Sequence, residues 1–158
     1  MSTYLSDILT LTAEACNIPC SPLSDYSEDG VNEMLDEVGY AGFPMLIFST
    51  KQSGTMAIER NGKVYLEYTV SLIFANAVDS HTTNTANNLQ VMDDMTELGA
   101  QYMQRLIKQD AYKKHPSNSE PLRPSYNTFE LRYDVELVGV EFRFTLRIDP
   151  SQDINSCD

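Results

Sequence analysis

Apolar and polar positions alternate with two different periods along this chain, and the switches between them outline its elements. Over residues 2–16, Tyr4, Leu5, Ile8, Leu9, Thr12 and Ala15 form a stripe at helical spacing, which predicts a first helix. Residues 17–27, with Pro19 and Pro22, read as a loop. Val31, Met34, Leu35 and Val38 repeat at three and four, predicting a short second helix over 29–38, stopped by Gly39. The apolar run 43–48 predicts the first core strand. Residues 56–60 and 63–74 flank Asn61-Gly62, a pattern that predicts a β-hairpin with a type I′ turn. In its second arm Leu66, Tyr68, Val70, Leu72 and Phe74 share one face, and Glu67, Thr69 and Ser71 point the other way.

A polar loop at 79–85 leads to a long helix expected over 85–108. Leu89, Met92, Met95, Thr96, Gly99, Tyr102, Met103, Leu106 and Ile107 are expected on its inner side, and Asn88, Gln90, Asp94, Gln101, Gln104 and Arg105 mostly on the other. The methionines among them read as core. After a proline-containing loop, residues 128–148 alternate with a change of phase, from odd-numbered Phe129, Leu131, Tyr133, Val135 and Leu137 to even-numbered Val140, Phe142, Phe144, Leu146 and Ile148. A turn near Val138-Gly139 joining two antiparallel strands accounts for this; one continuous bulged strand is the alternative. The order predicts an α+β fold: a mainly antiparallel sheet of four to five strands with a long β-hairpin, packed against an N-terminal helix and one long helix. One domain is expected over 1–149, with a polar tail at 150–158.

The 158 residues carry 11 Lys and Arg against 23 Asp and Glu, a net charge of −12. The imbalance is uneven: Asp7, Glu14, Asp25, Glu28, Asp29, Glu33, Asp36 and Glu37 lie in the first 50 residues, which contain no Lys or Arg. Such a surface lacks the cations that displace counterions from phosphates, so nucleic-acid binding is not expected. It suits solubility, a basic protein partner, or a wall past which DNA slides without sticking. No segment has the length and apolarity of a membrane span, and the N-terminal stretch lacks the basic start of a signal peptide, so a soluble protein without a membrane partner is expected. Three cysteines, Cys16, Cys20 and Cys157, suit reduced thiols.

Candidate chemistry is thin. Asp79 and His81 could form a dyad, but a turn capping the following helix explains the same residues more simply. A metal site built on Cys16 and Cys20 would have to recruit His81 and His115, the only two histidines. Asp93 and Glu97 stand four apart on the long helix, beside Asp94, as a solvated helix face commonly does. Phosphate loops, zinc-protease and EF-hand motifs are missing, there is no Trp, and Gly is limited to seven. No catalytic residue, cofactor or metal is expected.

The strand 43–48, with its Phe-Pro-x-Leu-x-Phe texture, is followed by the apolar strand and Asp of 66–79 and the amphipathic helix of 85–108. With the final Gly-centred segment 138–147, this order resembles the tail-terminator and head–tail connector (neck ring) proteins of tailed bacteriophages. The resemblance lies in element order and strand texture and covers most of residues 1–149. It implies a non-enzymatic virion protein at the neck or tail, assembled in the bacterial cytoplasm. It implies a ring of about six or twelve copies around the DNA channel, joined head-to-tail. It further implies contacts with portal, connector or tail-tube proteins, and DNA that passes without specific binding. Subunit contacts are then expected on the hairpin arm and polar loops, at Lys51, Gln52, Thr55, Arg60, Asn61, Lys63, Asp79, His81, Tyr112 and Arg123. Rival readings are a regulatory or small-molecule-binding domain of ferredoxin-like type, and an enzyme using Asp79 and His81.

Overall fold

Helix periodicity and strand alternation resolve into three helices and six strands in a computed structural model. It describes residues 5–23, 28–38, 43–49, 51, 53–62, 64–78, 85–109, 122–132 and 136–148. The order is α1 (Leu5–Ala15), β1 (Cys20–Leu23), α2 (Glu28–Val38), β2 (Met45–Ser49), β3 (Ser53–Ile58), β4 (Val64–Val78), α3 (Thr85–Leu106), β5 (Ser125–Arg132) and β6 (Glu136–Ile148). This is the expected α+β class, with one strand more than the four to five anticipated.

The strands form one sheet in the order β1-β2-β4-β6-β5, with β3 also paired to β4. All pairs are antiparallel except β1 with β2. Directly opposed residues share a face, so the register sorts the sheet into two sides. One side carries the rows Leu46–Phe74–Val140 and Phe48–Leu72–Phe142, and α1 and α3 cover it to make the main core. The other side carries Ile47–Ile73–Glu141 and Met45–Ala75–Gly139, where α2 contributes Val31, Met34 and Leu35 to a smaller cluster.

Helix α1 ends in a recognisable cap. Asn17 takes φ 56°, its N–H donates to the Glu14 carbonyl at 3.0 Å, and the Ile18 N–H donates to the Ala13 carbonyl at 2.9 Å. These are the paired bonds of a Schellman motif, with buried Ile18 and Ala13 making its apolar contact. Ala15 is exposed and Ala13 takes the expected place on the buried stripe. The chain then enters β1, a correction to the loop expected over 17–27. A four-residue strand with two nearby prolines carries almost no periodic signal, and Pro22 is tolerated because β1 lies at the sheet edge.

Helix α3 packs through Asn88, Val91, Met95, Gly99, Tyr102 and Leu106. The expected inner face is therefore corrected at three positions: Leu89 is 56% and Ile107 41% exposed, and Asn88 is buried. Asn88 faces inward because it donates from Nδ2 to Glu136 Oε1 at 3.4 Å. Glu136 is 1% exposed, and its Oε2 has no hydrogen-bond partner. Further along α3, Phe142 lies against bare Gly99, where a Cβ would come within 2.1 Å of the ring. Phe74 meets Tyr102 and Phe142 edge-on, with centroids 5.4 and 5.8 Å apart. The Tyr102 hydroxyl donates to the Leu9 carbonyl at 2.9 Å, binding α3 to α1.

Two turn expectations are also corrected. In the β3–β4 hairpin the last pair is Ile58 with Val64, so five residues intervene where a two-residue type I′ turn was expected. The Gly62 N–H donates to the Glu59 carbonyl at 2.9 Å, and Gly62 has positive φ, at 84°. Longer hairpin loops of this kind close on a glycine that follows the turn. Gly139, expected in a turn, sits inside β6 between Ala75 and Phe129, and the β5–β6 connection falls after Arg132. The phase change thus reflects a sheet covered on both sides: Phe129 of β5 and Leu137 of β6 face the α2 side, while Val140 and Phe142 of the same β6 face α1 and α3. Glycine is required at 139 because a Cβ there would lie 2.0 Å from the Phe74 carbonyl oxygen.

Gly139→Ala is therefore expected to force β4 and β6 apart and to cost about 1–3 kcal/mol in urea unfolding, the range of overpacked cores. Asn88→Ala removes the donor to a buried carboxyl group and is expected to cost about 1–3 kcal/mol by the same measurement.

Candidate functional site

The side of the sheet under α2 is only partly covered, and the sequence explains why. Beyond Ala75 and Ile73 the outward positions of β4 are polar, Ser71, Thr69 and Glu67, and so are their β6 partners Arg143, Thr145 and Arg147. Beta-strands β2 and β3 occupy successive stretches of the same edge of β4, ending at Leu72 and Thr69 and leaving Val70 and Ser71 between them. An open groove of about 580 Å³ lies there, with Leu23, Val31, Ile47, Phe129 and Leu137 as apolar walls on the α2 side, Leu5 and Leu9 of α1 reached through the gap beside Val70, and Lys51, Ser53, Thr69, Ser71, Glu141 and Arg143 along its polar end. Glu141 is the polar centre: its Oε1 accepts from Ser71 Oγ at 2.9 Å and pairs with Arg143 Nε. That hydrogen bond and charge keep the exposed Arg143 guanidinium firmly protonated. Glu67 and Arg147 form a second cross-strand pair at 3.1 Å, half exposed and so weak in stability terms.

The second feature is the arm formed by β3 and the start of β4. Every residue of β3 is exposed. Met56 and Ile58, beside Leu66 and Val64, are 62% and 70% exposed. Large apolar residues left open next to each other are a usual mark of a contact surface.

Four of the sequence-derived contact residues meet here: Lys51 at the mouth of the groove, and Thr55, Arg60 and Asn61 along the exposed arm. Arg123 is also exposed but precedes β5, at the opposite edge of the sheet. Gln52, Lys63, Asp79, His81 and Tyr112 lie outside the described residues, as do His115, Cys157 and the tail at 150–158. Sequence reasoning did not single out Met56 and Ile58, or the groove residues Glu141 and Arg143. The polar alternation of Glu67, Thr69 and Ser71 was their one advance sign.

Among the described residues no group of three His, Cys, Asp or Glu side chains is placed to hold a metal ion. Asp93, Asp94 and Glu97 are exposed on α3, with Gln90 Nε2 donating to Asp94 Oδ1 at 2.9 Å. Cys16 and Cys20 are free thiols, each half-buried. Burial pushes the Cys20 thiol up to about 11, against a smaller opposing hydrogen bond from Thr10, with Glu14 adding to the rise. Burial likewise raises the Tyr102 phenol far above its ordinary value. No described helix is long and apolar enough to cross a membrane. A scan of protein-family models finds none that matches this chain, and a search of curated proteins finds no match either.

The Cys20 environment has a direct consequence for its reactivity. Burial disfavours the thiolate, so at pH 7 only roughly one part in ten thousand is reactive, and the fraction rises about tenfold per pH unit up to about 11. Alkylation of Cys20, followed by mass spectrometry from pH 7 to 10, is expected to be slow at neutral pH and to accelerate with that slope.

Proposed function

We propose that this chain is a structural subunit that works by assembling with copies of itself, as a ring at the neck or tail end of a tailed bacteriophage. The observation that carries this reading is the arm: a strand exposed along its whole length, with Met56 and Ile58 uncovered by the chain that bears them. Such a strand leaves its side chains uncovered in the single copy, and among the described residues β3 pairs with β4 alone, an open edge that invites a partner. The acidic character of the first 50 residues supports a channel role, because a carboxylate-rich wall offers DNA no anchoring cations. The resemblance in element order to tail-terminator and connector proteins supplies the particular setting. On this reading the chain has no catalytic activity or cofactor, resides in the virion, and touches portal, connector or tail-tube proteins.

The open groove favours one other reading, a small-molecule-binding α+β domain, since its volume falls in the usual range for ligand sites. Its described element order, α-β-α-β-β-β-α-β-β, differs from the β-α-β-β-α-β order of a ferredoxin-like module. Light scattering of the purified chain, with negative-stain images, separates the two readings. A closed ring is expected. A strict monomer that also fails to join portal or tail partners, and whose melting temperature rises with a metabolite, would replace the ring by the ligand-binding reading.

A further inference from the structure

The arm and the groove are complementary, yet they occupy different stretches of β4. Met56 and Ile58 pair with Leu66 and Val64, on the side of Val70 and Leu72 that α1 and α3 cover further along. The groove fills the gap between β2 and β3, floored by Thr69, Ser71 and Ile73 on the α2 side and reaching past Phe48 and Val70 to Leu5 and Leu9 of α1; neither Leu66 nor Val64 lines it. Because β3 is held in register against β4, an arm cannot turn its own Met56 and Ile58 into its own groove. Any arm that fills the groove comes from another molecule.

Resting on the self-assembly reading above, we propose that the β3–β4 arm of one copy seats Met56 and Ile58 in the groove beside α2 of the next copy, with Arg60 against the carboxylates of α2. Charge selects this occupant. Helix α2 exposes Asp29, Glu33, Asp36 and Glu37 and contains no basic residue. The arm tip carries exposed Arg60, with Lys63 three positions further along the sequence. Apolar side chains meet apolar walls, and a cation meets an acidic helix. Opposite charges across such a contact set the register and disfavour other pairings. The two patches differ, so the contact is head-to-tail: each copy offers an arm to one neighbour and a groove to the other, and the series closes into a ring or runs on as a filament.

The test uses the full chain in analytical ultracentrifugation. Met56, Ile58, Arg60, Glu33, Glu37 and Thr69 are exposed in the single copy, so folding, checked by circular dichroism, is expected to survive. Met56→Asp with Ile58→Asp is expected to weaken assembly at least about tenfold, as loss of a central apolar anchor does. Arg60→Glu, and Glu33→Lys with Glu37→Lys, are each expected to weaken it, and the combined charge swap to restore it. In a Cys157→Ser background, mixing Ile58→Cys chains with Thr69→Cys chains is expected to give a disulfide between copies. Variants that assemble as tightly as the wild type, with no mixed disulfide, would overturn this contact while the ring reading stands. A wild-type chain that stays monomeric at every concentration would overturn both.

Discussion

The antiparallel ladder between β4 and β6 is the constraint on which the rest depends. It runs without interruption through thirteen paired residues, from Leu66 with Ile148 to Val78 with Glu136. Once that register is set, the parity of each position decides its side of the sheet and therefore its neighbours. Val70, Leu72, Phe74, Val140, Phe142, Phe144 and Leu146 fall under α1 and α3 and are buried. A slip by one residue would bring Ser71, Glu141 and Arg143 into that core, which the hydrophobic term forbids. Gly99 marks where α3 comes closest to the sheet and Gly139 where β4 comes closest to β6, and both positions hold only bare backbone.

The two sides of the sheet are finished differently, and that difference generates the candidate site. Two helices, bound together by Tyr102 and by Gln109 Nε2 donating to Thr12 Oγ1 at 3.2 Å, close one side. One short acidic helix closes part of the other. The groove lies where apolar cover ends and the polar rows of β4 and β6 begin. Its position follows from helix length: eleven residues of α2, at ~1.5 Å each, span about 16 Å, well short of a fifteen-residue strand.

Periodic elements were legible in the sequence because each has one buried face. Helices α1, α2 and α3 and strands β2 and β4 fall within a few residues of their expected bounds. The errors occur where tertiary partners override local pattern. Asn88 turned inward to meet a buried Glu136 donated by a strand 48 residues away, a pairing invisible to helical spacing. Gly139 resembled a turn glycine but answers the approach of the Phe74 carbonyl. Strand β1 exists because the edge of β2 accepts it, with the Leu46 N–H donating to the Pro19 carbonyl at 2.9 Å. The exposed arm was readable as a hairpin. The groove was not, since its walls come from six strands and two helices that only the fold brings together.

The length of the β4–β6 ladder also bears on how the molecule carries load. Hydrogen bonds in an antiparallel pair stand perpendicular to the strands. A pull along the strand axis therefore strains the hydrogen bonds of the whole ladder together, whereas a pull across the sheet opens them in succession like a zip. The domain is thus stiff in one direction and compliant in the other, with the stiff axis running lengthwise through the strand that also forms the arm.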